Sequence, residues 1–311
     1  MAKRKLLLAI ACVSGLVFLP LSAVRAQAAA AYILNFDHDA SGDAVELNDL
    51  GISVGDWETP ASTNRADYVV SDQWLSDFGV SITAYEKPSD YSRDNNWDYD
   101  RHTEFSAESV RDLVVFDTNP ASYSSETIEK QSFDKDLLTG ESYGTEDQGN
   151  VLIMQSGNKD WHKPNDEKNG GVISFSFENA VDLNSIDLLD VDDYDNRGKQ
   201  IIFTAYGEKD ESGKATVLNT WRFDETALQS NQATQLSKGT GNNSLYRFKF
   251  DQEGVKRLDA LYPGSGAIGA LYWEQDEEPP ELPEPASALS LLAVAALRAR
   301  LKRSQAVKAD A

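Results

Sequence analysis

Cysteine is almost absent from this chain. The only one among 311 residues is Cys12, which lies in an apolar stretch near the N-terminus. Its scarcity excludes disulfides, thiolate metal sites and cysteine nucleophiles from the rest of the protein. A domain without such cross-links depends on a hydrophobic core, and a chain of this length can bury a sizeable one.

Basic residues are scarce through the middle of the chain. Nine of the 29 lysines and arginines, but only one of the 51 acidic residues, lie in residues 1–31 and 286–311. Residues 32–285 therefore carry 20 bases against 50 acids, a net charge of −30. This charge repels nucleic acid and anionic membranes, so we expect no nucleic-acid partner. It attracts divalent cations, and it is equally typical of a solvated acidic surface.

The N-terminus has the layout of a secretory signal. Basic residues at positions 3–5 precede an apolar stretch from Leu6 to Leu21, and small residues follow at positions 23–28. This is the order of a charged region, an apolar region and a cleavage site. The apolar run is shorter than the ~20 residues of a spanning helix. A cleaved signal helix over residues 1–31 is therefore favoured over an uncleaved anchor, with the export machinery and signal peptidase as partners.

The C-terminus has three parts: a Pro-Glu-Pro triplet, twelve apolar or small residues at 286–297, and a basic cluster. Proline interrupts regular structure, the apolar run favours lipid, and the cations stay on the cytoplasmic side. This layout resembles the PEP-CTERM sorting tail. The resemblance implies processing by an exosortase, with transient inner-membrane association before delivery to the outer surface, the extracellular matrix or the medium. An amphipathic C-terminal helix without a sorting role is the alternative. The residues that carry the resemblance are Pro283, Glu284, Pro285, Arg298, Arg300, Lys302 and Arg303.

Short apolar segments alternate with polar loops between the two ends. Their regular spacing, with turn residues between them, predicts an all-β fold, an antiparallel two-sheet sandwich with long polar loops at 86–110 and 121–148. We expect Trp74, Trp221 and Trp273 in its core. The predicted strands are residues 32–36, 78–84, 113–116, 150–155, 171–177, 181–193, 200–206, 217–223, 244–250, 255–262 and 267–273.

Four segments of this region carry a second resemblance: residues 115–120, 149–155, 185–192 and 262–268. They are similar to a jelly-roll-type domain of exported bacterial proteins with PEP-CTERM tails, a group without an assigned activity. The resemblance implies the fold and the setting. The predicted organisation is a signal peptide (1–31), an ectodomain (32–274), an acidic proline-rich spacer (275–282), the sorting tail (283–303) and a polar tail (304–311).

Acidic residues cluster at two predicted strand ends. Crowded carboxylates on a loop are the oxygen ligands that Ca²⁺ prefers, so both clusters are candidate calcium sites, with a solvated acidic turn as the alternative. One cluster lies at the end of the predicted strand 181–193. There Asp190 and Asp192 share a strand face with Ile186 and Leu188. The other follows the first strand and is paired by fold-level analogy with the last strand. The candidates are Asp190, Asp192, Asp193 and Asp195, and separately Asp37, Asp39, Asp43 and Glu274.

Four aromatic residues fall in predicted loops: Trp97, Tyr99, Trp161 and Tyr194. An aromatic face beside Asp and Asn side chains suits sugar recognition, because the ring stacks on C–H surface while polar groups bind hydroxyls. This pattern makes an extracellular polysaccharide a candidate partner. In the alternative interpretation, the rings fix long loops onto the sandwich.

Catalytic motifs are missing. The three histidines, His38, His102 and His162, are far apart, and neither a His-Glu-x-x-His nor a Gly-x-Ser-x-Gly motif occurs. The sequence therefore predicts an exported, non-enzymatic protein that binds Ca²⁺ or glycans. A secreted carbohydrate-active enzyme using loop carboxylates and a purely structural matrix protein are the alternatives.

Overall fold

Two antiparallel sheets pack face to face, which confirms the predicted all-β sandwich. The computed structural model describes residues 29–38, 64–86, 110–130, 133–157, 161–191, 200–239 and 243–276. The described helices are short: α1 Leu75–Phe78, α2 Ser125–Ile128 and α3 Glu225–Gln229. The described strands are β1 Ala29–Leu34, β2 Val80–Glu86, β3 Val110–Arg111, β4 Leu113–Asp117, β5 Asn150–Met154, β6 Gly171–Leu189, β7 Ile201–Lys209, β8 Ala215–Phe223, β9 Ala233–Ser237, β10 Leu245–Tyr262 and β11 Ala267–Asp276.

The long strands β6 and β10 belong to both sheets. Their halves at residues 171–177 and 257–262 form the centre of the first sheet, in the order β3–β2–β6–β10–β7–β8. Their halves at residues 181–189 and 245–255 form the second sheet, where β9 lies beside β10 and β11 lies beside β6. The other side of β11 pairs with β1 and, further along, with β5, which in turn pairs with β4.

Each of these long strands bends where it leaves one sheet for the other. The sequence predicts two strands in place of each one, which is wrong for both. Residues 178–180 of β6 are exposed, and β10 shows register shifts between Lys249 and Arg257. Asp251 and Gly254 adopt positive φ angles of 50° and 72° there. Both segments are polar and the one in β10 contains a glycine, so they resemble turns in composition, but here they are bulges that redirect a continuous strand.

The main core lies between the sheets and follows the alternation of the strands. Phe203 of the first sheet lies 4.9 Å from Phe248 of the second, measured between ring centroids. Trp273 stacks on Tyr32 at 5.5 Å and meets Phe177 edge-on at 5.5 Å. The predicted burial of the three tryptophans is confirmed, with exposures of 2% for Trp74, 9% for Trp221 and 1% for Trp273.

A second apolar cluster covers the outer side of β4 and β5. Phe116 and Val151 of these strands pack against Phe133, Leu137 and Leu138. The last three belong to the connection at 121–148, which the sequence describes only as a polar loop. It instead contains α2 and several single helical turns. Its buried leucines explain the difference, because they fold the connection back onto the sheet.

Two further differences are local. Phe78, the first residue of a predicted strand, is the last residue of α1. Gly79 ends that helix with φ 63°, a left-handed conformation that glycine adopts without strain, and β2 begins after it. The short strand β9 was not among the predicted strands, because its exposed polar side chains give no clear alternation.

Residues 1–28 of the predicted signal peptide (1–31) lie outside the described residues, and so do residues 277–311, with most of the predicted spacer (275–282) and all of the predicted sorting tail (283–303). Residues 29–31 belong to β1 and residues 275–276 to β11. Among the residues that the structure describes, none of the helices combines the length and the hydrophobicity needed to cross a membrane.

The packing of Phe203 between the sheets gives a stability prediction. Phe203→Ala should lower the free energy of unfolding by about 3–5 kcal/mol, because it leaves a cavity beside Phe248 and Phe250. Leu236→Ala, at a side chain that is 45% exposed, should change it by less than about 0.5 kcal/mol. Urea unfolding of both variants measures the difference. Equal losses would contradict this account of the core.

Candidate functional site

A polar cavity of about 460 Å³ lies where β6 ends. Four parts of the chain meet there: the connection between β4 and β5, the connection between β5 and β6, the residue that follows β6, and the turn that follows β10. The lining residues are Lys130, Phe133, Asp134, Lys135, Asp136, Ser156, Asn165, Asp166, Lys168, Asp190 and Ser265.

Backbone contacts fix two of these parts. The loop before β6 is pinned to the end of β5 by a bridge between Gln155 and Asp166. The Ser156 N–H also donates to the Asn165 carbonyl at 2.8 Å. In the connection between β4 and β5, the buried Asn243 side chain donates to the carbonyls of Lys135 and Leu138 at 3.0 and 2.7 Å. Contacts within the fold therefore hold the cavity walls in place.

Asp190 is the one sequence-predicted site residue in the cavity. The sequence places it on a strand face with Ile186 and Leu188, but β6 ends at Leu189. Asp190 adopts φ 57°, which breaks the alternation and directs the chain away from the sheet. Its side chain is only 8% exposed, so it lies inside the protein and not on a solvated turn.

Asp166 carries the strongest electrostatic perturbation in the cavity. It is 6% exposed and accepts a hydrogen bond from the Gly266 N–H at 2.5 Å. Burial raises the pKa of Asp166 well above its ordinary value, and the charges of Asp134 and Asp190 raise it further. Like charges this close disfavour simultaneous ionisation, so Asp166 holds its proton to a higher pH than an exposed aspartate.

The lining side chains differ in depth. Asp166, Asp190 and Phe133 are buried, whereas Ser156, Asn165 and Ser265 are half-buried. The three lysines and Asp136 are exposed, so they form the solvent-facing part of the lining. A ligand in this cavity would meet carboxyl groups at the base, amide and hydroxyl groups along the walls, and ammonium groups on the solvent-facing side.

Only some residues of the two predicted calcium clusters belong to the described part of the chain. Asp192, Asp193, Asp195, Asp39 and Asp43 lie outside the described residues. Within the described ranges, no group of three or more His, Cys, Asp or Glu side chains is placed to hold a metal ion.

The structure does not bring Asp37 and Glu274 together. Glu274 pairs with Ala31, so Asp37 lies six residues further along the chain, beyond the other end of β1. There its carboxylate accepts hydrogen bonds from the Asn150 side chain at 2.7 Å and from the Asn150 N–H at 3.2 Å. Glu274 accepts instead from the Asn184 side chain at 3.3 Å.

Trp161 is the one loop aromatic candidate that the structure describes. Its ring packs against the second apolar cluster, and its indole N–H donates to Asp112 at 2.7 Å. Asp112 also forms a bidentate contact with Arg65. The ring therefore fixes its loop, as in the alternative interpretation of the loop aromatics. Trp97, Tyr99 and Tyr194 lie outside the described residues.

Sequence reasoning missed Asp134 and Asp166. Each has only one acidic neighbour in sequence, Asp136 and Glu167 respectively, and they are separated from Asp190 by 56 and 24 residues. Only the fold brings the three carboxyl groups to one cavity. The one available signal was the position of Asp166 in a charged loop directly before a predicted strand.

Comparison with known proteins identifies no family for this chain. No family model matches the chain, and no curated protein matches it. Among solved structures, a carbohydrate-binding module, CBM32-3 from a family 31 glycoside hydrolase of Clostridium perfringens, is similar. The match covers 47% of this chain and 86% of that one, with 12% identity and a TM-score of 0.23. A likeness at this level carries no information about what this chain binds.

The electrostatics of Asp166 predict an unusual pH dependence. Because its folded pKa lies above the unfolded value, its contribution to stability is present at low pH and is lost as pH rises through the folded pKa. Asp166→Asn stays neutral at every pH. Its melting temperature relative to wild type should therefore rise from acidic to neutral pH, as thermal unfolding across a pH series would show.

Asp112→Asn is the control with the opposite sign. Burial alone would raise the pKa of Asp112, but hydrogen bonds from Arg65 and Trp161 outweigh it and lower the pKa. Its contribution is present above the ordinary pKa and is lost as pH falls through the folded one. This variant should lose about 1–3 kcal/mol at neutral pH and less in acid. If the melting temperatures of both variants, relative to wild type, changed with pH in the same direction, the opposite pKa shifts assigned to Asp166 and Asp112 would be refuted.

Proposed function

We propose that this protein is an exported, surface- or matrix-associated, non-enzymatic β-sandwich protein that binds extracellular saccharides in the cavity around Asp166 and Asp190. The observation that carries the proposal is a preformed polar cavity with its hydrogen-bonding groups graded by depth. Support for export is the signal-like N-terminus and the resemblance of the C-terminus to a sorting tail.

The chemistry of the lining favours a hydroxyl-rich ligand. A saccharide hydroxyl both donates and accepts hydrogen bonds, so it suits the carboxyl groups of Asp166 and Asp190 as well as the amide of Asn165. The cavity volume lies within the range of about 300–1,000 Å³ that is usual for small-ligand sites. Phe133 supplies the one aromatic side chain of the lining, although it is only 5% exposed.

The exposed lysines of the cavity lining favour ligands that also carry acidic groups. Lys130, Lys135 and Lys168 are exposed, in a region of strongly negative net charge. They offer a local site for acidic groups of a polysaccharide that the rest of the surface repels. Uronic-acid polymers therefore belong in any binding panel beside neutral glycans.

A carbohydrate-active enzyme is the second candidate. The observation that favours it is the raised pKa of Asp166 beside Asp134 and Asp190. Carboxyl groups whose pKa values are pushed apart serve as general acid and base in glycoside hydrolysis. Release of reducing sugars from any glycan of the panel, and its loss in Asp166→Asn, would establish this candidate in place of the first.

Calcium binding is a further part of the proposal. Asp190 opens the acidic segment that continues to Asp195, and carboxylate oxygens are the ligands of Ca²⁺. Thermal unfolding with calcium chloride and with EDTA tests this part. A higher melting temperature with calcium, reversed in Asp190→Asn, supports it, and identical melting temperatures remove it.

The binding proposal predicts the effect of Asp190→Asn. Removing the charge while keeping the shape should weaken binding to the best saccharide of the panel by about tenfold, the equivalent of one charged hydrogen bond. Isothermal titration calorimetry measures the change. Asp77→Asn makes the same chemical change at an exposed position of α1, away from the cavity, and should leave binding unaltered. Equal binding by both variants would remove the cavity from the account.

A further inference from the structure

A row of polar side chains crosses the outer face of the first sheet. Asp259 of β10 pairs with Ser174 of β6 and with Thr204 of β7. The row continues to Thr83 of β2 and to Thr220 of β8. We name these five residues the polar row. Neighbouring strands lie about 4.8 Å apart, so the row extends over roughly 19 Å.

Arg257 and Tyr206 lie beside the centre of the polar row. They face each other across β10 and β7, two residues along from Asp259 and Thr204. The Arg257 guanidinium lies 4.0 Å from the centroid of the Tyr206 ring, and its Nε is 3.2 Å from Asp259 Oδ1. The same Asp259 oxygen accepts a hydrogen bond from the Ser174 hydroxyl at 2.7 Å.

Several polar atoms at this centre are buried without a hydrogen-bond partner. Among the described residues nine buried side-chain nitrogen and oxygen atoms lack one, and five of the nine belong to this patch. Thr204 is 0% exposed, and Tyr206 and Asp259 are each 1% exposed. The Tyr206 hydroxyl lies near the Asp259 carboxylate, but not in hydrogen-bonding geometry. The five atoms are Thr204 Oγ1, Tyr206 Oη, Asp259 Oδ2 and the Nε and Nη2 of Arg257.

Unpartnered buried groups reduce stability, so such a concentration requires an explanation beyond folding. Asp187 shows the ordinary solution. On the outer face of the second sheet, Asp187 is bonded by Arg247 through two contacts of 2.7 Å and by the Tyr272 hydroxyl at 2.9 Å. An aspartate, an arginine and a tyrosine occur in both places, but only the group on the second sheet is fully bonded.

We propose that the polar row is a second binding site, distinct from the cavity, which takes an uncharged, hydroxyl-rich saccharide. Asp259 Oδ2 requires a donor and Arg257 Nη2 requires an acceptor, while the hydroxyls of Thr204 and Tyr206 serve as either. A pair of neighbouring sugar hydroxyls meets all of these requirements. Arg257 and Asp259 neutralise each other, so a net charge on the ligand gains nothing at this position.

The open ends of the row provide access. Thr220 is exposed and Thr83 is half-buried, whereas the centre lies beside Arg257, whose side chain is 22% exposed. Binding at the centre requires the Arg257 side chain to move off the Tyr206 ring. Access to the Tyr206 hydroxyl therefore depends on movement of this side chain.

The test uses Thr204→Val and Tyr206→Phe, which remove one hydroxyl each and keep the side-chain shape. Both are made in full-length protein carrying Asp190→Asn, which should weaken binding in the cavity by about tenfold. The probes are cello-, xylo- and galacto-oligosaccharides, measured by isothermal titration calorimetry. We expect the melting temperature without ligand to stay equal or rise, since an unpartnered buried hydroxyl is lost. We expect the affinity for the best probe to fall at least tenfold.

Tyr262→Phe is the matched control. The Tyr262 hydroxyl is also buried and without a partner, but its side chain belongs to the core between the sheets. The variant should keep the full affinity. The proposal is overturned if Thr204→Val and Tyr206→Phe lower the melting temperature, which would mean that ordered water satisfies these hydroxyls. Unchanged affinity, or no probe binding in the Asp190→Asn background, would also overturn it and would leave the cavity as the only saccharide site.

Discussion

The pairing of β6 with β10 is the interaction on which the rest of this fold depends. The two strands pair along most of their length and take part in both sheets, so a single antiparallel ladder joins the layers. With no cysteine in the described residues, this ladder and the core between its two halves replace covalent cross-links. Both proposed sites depend on it as well. Asp190 follows the end of β6, and Asp259 lies in the last third of β10, opposite Ser174.

Buried aspartates in this protein have two kinds of surroundings. Asp187 and Asp112 are bonded by arginine and aromatic donors, which fixes neighbouring segments and leaves no atom for a ligand. Asp166 and Asp259 differ. Burial raises the pKa of both carboxyl groups. The charges of Asp134 and Asp190 raise the pKa of Asp166 further, whereas Arg257 and Ser174 offset the effect of burial at Asp259 only in part. The two proposed binding sites are built around these incompletely compensated groups, where a ligand would improve the hydrogen bonding of the protein itself.

The sequence predicts the fold class and most strand positions, because short alternating segments separated by turn residues have few other solutions. It fails where a polar interruption is a bulge and not a turn, as at residues 178–180 and at Gly254. It predicts the site less well. Acids were selected by local clustering, which found Asp190 and missed Asp166. The polar row was missed because Ser174, Thr204 and Asp259 are unremarkable in sequence and become neighbours only through strand register.

The central claim is that the cavity around Asp166 and Asp190 receives a saccharide. Backbone amide NMR shifts, recorded while the protein is titrated with the strongest-binding oligosaccharide, test this claim most directly. The account predicts saturable shift changes centred on Asn165, Asp166, Asp190 and Ser265, which belong to three different parts of the chain. Saturable changes confined to residues outside the cavity and the polar row, or no changes at all, would contradict it.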